Sequence, residues 1–144
     1  MLMGVLAFTG CKREGCTDRD SAAYDPDAKN DDGSCQYQGE IVFWYDQATA
    51  DYLTNICVST SLTYYVDGQV VGSSAASVFF TGAPNCGQNS TITVTKDLGS
   101  VKSKSFSFSI KDDIGDELWN GTDNFTANTC LIIKLRQSEI LIIC

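Results

Sequence analysis

The residues of this 144-residue chain best suited to chemistry are its seven cysteines, at positions 11, 16, 35, 57, 86, 130 and 144. In so short a chain they fit either a disulfide framework made in an oxidising compartment or a metal site. The chain has no C-x-x-C pair and no histidine, so a zinc site lacks its usual ligands and disulfides are the better reading. The missing histidine also removes Ser-His-Asp and Cys-His catalysis and the usual acid/base group at neutral pH. Asp112, Asp113, Asp116 and Glu117 offer the paired carboxylates that glycoside hydrolysis uses. They follow a short strand, in a turn where solvated acids collect, so we do not read an enzyme from them. A net charge of −8 with pI near 4.3 opposes a nucleic-acid partner.

A second set of carboxylates lies between Cys16 and Cys35. Six aspartates (18, 20, 25, 27, 31 and 32) face Arg19 and Lys29, so this stretch carries −4 of the chain's −8. It has no hydrophobic periodicity, and Asp25-Pro26 and Asp32-Gly33 signal turns. Such a segment cannot order itself by burial, so a Cys16–Cys35 bond is expected to pin it, worth roughly 3 kcal/mol in the chain-entropy model. Calcium is the one cofactor these side chains could take, through Asp25, Asp27, Asp31 and Asp32. The spacing is not that of an EF-hand loop, and the competing reading is a solvated spacer.

At the N-terminus, residues 1–10 (MLMGVLAFTG) are uncharged and apolar, and Lys12-Arg13-Glu14 follow Cys11 at once. This is the pattern of a secretory signal, and it is too short to span a bilayer. Phe8-Thr9-Gly10-Cys11 resembles a lipobox, which implies that Cys11 becomes a lipidated first residue and accounts for the odd cysteine count. A plain signal peptide with Cys11 as an ordinary thiol is the alternative. Residues 15–37 resemble a GCTD–A–x–NYDP–A–xx–DDGSC–x–Y module of lipoproteins and secreted surface proteins from Bacteroidota-type marine bacteria. The shared residues are Gly15-Cys16-Thr17-Asp18, Ala23, Tyr24-Asp25-Pro26, Ala28, Asp31-Asp32-Gly33-Ser34-Cys35 and Tyr37. The resemblance implies lipid-anchored export to the outer membrane or cell surface, and no chemistry.

From Glu40 onward the period is two. Val58, Thr60, Leu62, Tyr64 and Val66 share one face against Ser59, Ser61, Thr63 and Tyr65. Ile92 and Val94 alternate with Thr91, Thr93 and Thr95; Phe106, Phe108 and Ile110 with Ser105, Ser107 and Ser109; Leu131, Ile133 and Leu135 with Ile132, Lys134 and Arg136. Such alternation marks half-buried antiparallel strands. Ile41 to Tyr45 is a first strand too apolar for an open edge, and Asp67-Gly68 signals a type I′ hairpin. No helix is expected beyond one short turn within 47–53. The expected fold is all-β: an antiparallel β-sandwich of about seven strands, preceded by a disulfide-pinned, irregular acidic loop. The expected divisions are a signal peptide at 1–10, an anchor linker with the acidic module at 11–38, the sandwich at 39–136 and an apolar tail at 137–144. That tail is either an added strand or a stub.

The body resembles transthyretin-like or carboxypeptidase-regulatory-like sandwiches. The resemblance rests on Gly39 to Trp44, Val66-Asp67-Gly68 with Gly72, Pro84-Asn85-Cys86-Gly87, Thr93-Val94, Trp119-Asn120-Gly121 and Cys130 to Leu135. It implies an accessory module. Cys57, Cys86, Cys130 and Cys144 allow three pairings; Cys86 with Cys57 or Cys130 is favoured, and Cys144 is the least assigned.

Trp119 and Tyr65 are candidate platforms for stacking on a sugar, against the simpler reading that the aromatics fill a small core. Asn89-Ser90-Thr91, Asn120-Gly121-Thr122 and Asn124-Phe125-Thr126 match N-glycosylation acceptors without meaning much in a bacterial lipoprotein. Asp20-Ser21-Ala22 resembles a short O-glycosylation acceptor of the same bacteria. The function expected is that of a non-catalytic envelope lipoprotein, structural or adhesive, partnered by the membrane through its anchor and by envelope proteins or glycans. The alternative is a glycan-binding accessory domain of a surface polysaccharide-uptake system.

Overall fold

The computed structural model describes residues 12–144; the signal peptide expected at 1–10 and the lipidation expected at Cys11 fall outside the described residues. Its elements are β1 (Tyr37–Trp44), α1 (Gln47–Asn55), β2 (Ser61–Val66), β3 (Gln69–Ala75), β4 (Ile92–Gly99), β5 (Ser103–Asp112), β6 (Glu117–Thr126) and β7 (Cys130–Lys134). A 3-10 turn at Gln137–Glu139 follows. They form an all-β sandwich of two sheets, one ordered β4-β1-β7 and the other β3-β2-β5-β6.

The alternating pattern places the core as read. Leu62, Tyr64 and Val66 of β2 and Phe106 and Ile110 of β5 are buried, and Ser105 and Ser107 are exposed. Between the sheets the rings of Phe43 and Tyr64 lie 5.7 Å apart, and within the four-stranded sheet those of Phe106 and Phe125, on β5 and β6, lie 4.5 Å apart. Phe108 is only half-buried; it packs against Phe43 at 5.4 Å. Asp67 and Gly68 both take positive φ, 49° and 76°, as a type I′ turn requires.

Four features depart from expectation. One strand pair is parallel: β7 runs alongside β1 from Glu40↔Cys130 to Trp44↔Lys134, while the other four strand pairs of the two sheets are antiparallel. β1 starts at Tyr37, two residues before the expected domain boundary, with Tyr37 already in register with Gly99. A nine-residue helix, α1, replaces the single turn. Asp46 caps it, its carboxylate accepting from Thr49 N–H at 3.1 Å, and Thr49, Ala50 and Leu53 make its buried stripe. Two small residues and one leucine are too faint an apolar signal to read as a helix. Finally, β2 begins at Ser61, not Val58. Val58 has φ 56° and is 72% exposed, so the chain turns there before entering the sheet.

β1 is apolar on both faces because both faces are covered. Ile41 and Phe43 point into the inter-sheet core. Val42 and Trp44, on the opposite face, are also buried, at 0% and 9% exposure. The loop at 76–91 covers them. It is tied to β7 by Cys86–Cys130 and to β4 by Gly87 N–H donating to Thr93 Oγ1 at 2.9 Å, and β1 lies between these two strands. Pro84 is fully buried within the loop.

Three disulfides form: Cys16–Cys35, Cys86–Cys130 and Cys57–Cys144. The first is the expected staple, and the second is one of the two partners favoured for Cys86. Cys57–Cys144 assigns the remaining pair. The tail is not a strand. After the 3-10 turn it crosses β6, where Leu141 N–H donates to Leu118 C=O at 2.9 Å, with Ile140 and Ile142 against the core. No helix among the described residues is long and apolar enough to cross a membrane.

Candidate functional site

The acidic module is docked, not free. Tyr37 Oη donates to Asp18 Oδ2 at 2.9 Å, and Lys102 Nζ, from the residue just before β5, lies 2.6 Å from Asp18 and 3.1 Å from Asp20. The hydrogen bond from Lys102, aided by the N–H of Asp20 and the Tyr37 phenol, holds the Asp18 carboxyl at about 2. The same carboxylates push the Lys102 ammonium up.

The calcium candidates do not converge. Asp25 and Asp27 bind Arg13, at 2.9 and 3.3 Å. Asp31 accepts from Gly33 N–H and Asp32 from Ser34 N–H, each at 2.9 Å, closing separate turns. No group of three or more acidic, cysteine or histidine side chains among the described residues could hold a metal. Asp25, Asp27, Asp31 and Asp32, the expected calcium candidates, are thus held apart by their turns and by Arg13 and are not gathered into one cluster. Ser21 is likewise closed to glycosylation. It is 7% exposed, and its hydroxyl donates to Gln36 C=O at 2.8 Å while accepting from Ala23 and Gln36 N–H.

The acids after β5 shape a turn. Asp112 is buried and accepts from Ile114 and Asp116 N–H at 3.1 and 2.8 Å. Asp113 accepts from Thr60 N–H at 2.8 Å, which lowers its pKa.

Trp119 is no stacking platform. It is 3% exposed, stacked on Tyr45 at 6.5 Å, with Nε1 donating to Arg136 C=O at 3.0 Å. Period-two alternation in β6 puts it on the inner face, a placement its polar sequence neighbours concealed. Tyr65 is half-buried on the outer face of the four-stranded sheet, with Lys111 Nζ 5.5 Å from its ring centre.

That outer face carries the most distinctive surface chemistry. The register sets Tyr65 opposite Ser109, Ser109 opposite Asn120, Ser107 opposite Thr122 and Ser105 opposite Asn124. A cleft of about 470 Å³ opens there, lined by Ser107, Phe108, Ser109, Glu117, Asn120, Gly121 and Thr122 with Gly68 at its rim. Glu117 Oε1 accepts from Asn120 Nδ2 at 2.5 Å. The sequence shows the serine ladder of β5 and the Asn120-x-Thr122-x-Asn124 ladder of β6. Only the pairing of the two strands makes them one surface. A second cleft, about 410 Å³, lies between α1 and the residues after β7, where Lys134 spans to Asp46 at 2.7 Å. That lysine and the N–H of Thr49 hold Asp46 at about 2.

Fold and surface together define a disulfide-stapled β-sandwich with a docked acidic module. The chain matches no known family model, curated protein or solved structure.

Proposed function

We propose that this chain is a non-catalytic module of a bacterial cell envelope, lipid-anchored through Cys11 and acting in structural or adhesive contact. One observation carries the reading: the two ends of the sandwich are built differently. At the end where β1 and β5 begin, Asp18, Tyr37 and Lys102 clamp the segment that leads toward Cys11. The opposite end, past the top of β1, exposes Ile56, Val58 and Ile114, at 55%, 72% and 78%. A stalk end and an apolar contact end suit a presented interaction module. The test is mass spectrometry of membrane-extracted protein beside fractionation of a Cys11→Ser variant. A diacyl- or triacyl-glyceryl Cys11, and release of the variant into the soluble fraction, are expected. An unmodified N-terminus at another residue would overturn the anchor.

A second reading, a glycan-binding accessory domain, is favoured by the cleft on the β5–β6 face, where hydroxyl and amide side chains surround a single carboxylate.

A further inference from the structure

We infer that the cleft over β5 and β6 is a binding site for a neutral saccharide, gripped by Ser107, Ser109, Asn120 and Thr122. The inference rests on the glycan reading above and gives it a location.

A sugar presents a dense set of hydroxyls, each able to donate and accept, and no charge. Ser and Thr hydroxyls and the Asn carboxamide also both donate and accept. Antiparallel pairing sets Ser107 against Thr122 and Ser109 against Asn120. With strands about 4.8 Å apart and same-face residues about 6.8 Å apart along each strand, these four groups form a grid on the scale of a hexose ring. The other sheet has its outer face crossed by the 76–91 loop, whereas this cleft is open.

The charge pattern selects among ligands. The chain carries −8, yet Glu117 is the cleft's one ionised group, and Asn120 orients it at 2.5 Å. One fixed carboxylate accepts from sugar hydroxyls and repels uronates and sulfates. It is too few for a hard cation, which takes six to eight oxygens. No cationic side chain lines the cleft; Lys111, opposite Glu117 in register, stands beside it over the Tyr65 ring. Gly121 leaves the cleft floor as bare backbone: a Cβ there would stand 2.7 Å from Phe108 Cζ, because the Phe108 ring packs against the glycine from the core side.

The test uses the disulfide-intact protein, titrated with maltohexaose, cellohexaose and laminarihexaose and, as an anionic control, oligogalacturonate, and read by amide chemical shifts. Saturable shifts at Ser107, Ser109, Asn120 and Thr122 with at least one neutral probe, and none with oligogalacturonate, are expected. Asn120→Ala and Thr122→Ala should each weaken that binding about tenfold with the melting temperature unchanged. Glu117→Gln should weaken neutral binding and admit the anionic probe. Gln38→Ala, on a different cleft, should leave both unchanged. Saturable shifts elsewhere would overturn this site and leave the glycan reading standing. No saturable shift with any neutral probe would overturn both, and a preference of the parent protein for oligogalacturonate would overturn the site's charge logic.

Discussion

Tyr37 and Asp18 stand nineteen residues apart and meet through their side chains, the phenol donating to the carboxylate at 2.9 Å. The contact joins the first residue of β1 to the acidic module, and Lys102, just before β5, closes it. The module is thus part of the folded surface, in place of the free spacer its composition suggests.

This clamp has a pH window. Asp18 is held at about 2 against an ordinary 3.8, so its contribution is complete above about pH 4 and is lost as pH falls through about 2. Lys102 is raised, so its contribution is complete below its ordinary 10.5 and is lost as pH climbs past it. Protection of the amides of residues 17–34, taken relative to their intrinsic exchange rate at each pH, should be greatest between these limits, and Lys102→Ala should lower it at pH 7 while protection in β5 stays as in the parent. An equal loss of protection in β5 would mean that the lysine supports the sandwich and not the clamp.

The two phenylalanines of β5 should differ. Phe106 is 2% exposed and Phe108 half-buried, so Phe106→Ala should cost about 3–5 kcal/mol and Phe108→Ala distinctly less. Ser107→Ala should stay within about 0.5 kcal/mol. Urea midpoints of the three variants decide the order.

Gly39 sits where β1 passes the end of β6. A Cβ there would lie 2.8 Å from the backbone oxygen of Thr126, which cannot rotate aside. Gly39→Ala should destabilise by about 1–3 kcal/mol, seen as a lower melting temperature. A variant as stable as the parent would show that the two strands can separate there without cost.

Val58 holds a β-branched side chain at φ 56° with 72% exposure. Glycine takes that conformation freely, so Val58→Gly should raise stability by about 0.5–1 kcal/mol despite its greater unfolded-state entropy. Calorimetry showing a lower melting temperature would place the valine among stabilising contacts.

Removing Cys86–Cys130, which spans 44 residues, should cost about 4 kcal/mol in the chain-entropy model. Loosening the loop should also wet Trp44 and red-shift its fluorescence. An unshifted spectrum in the Cys86→Ala, Cys130→Ala protein would show that Pro84 and its neighbours hold the loop unaided.

What the sequence discloses follows from how local the determining physics is. The faces of β5 and the Asp67-Gly68 turn are written in adjacent residues, and both stand as read. The Cys16–Cys35 staple was legible because the segment it closes has nothing apolar to fold around. Trp119 was misplaced because its burial depends on Tyr45 and Arg136, remote in sequence. The parallel β1–β7 pair and the joining of Ser107 to Thr122 are facts of long-range register, and no local period encodes them. Helix α1 was missed because Asp46 and a small-residue stripe carry it where a run of large apolar residues would have announced it.

The central position of β1 bears on how the molecule takes a mechanical load. A pull from the N-terminal side enters at Cys16, and the Cys16–Cys35 bond carries it past the intervening loop, which cannot pay out as slack. The force then reaches β1, held by β4 on one side and β7 on the other. It acts along the strand, so the hydrogen bonds of both ladders are sheared together and not opened one at a time from an edge. A tether attached at this end is fastened to the strand hardest to peel away.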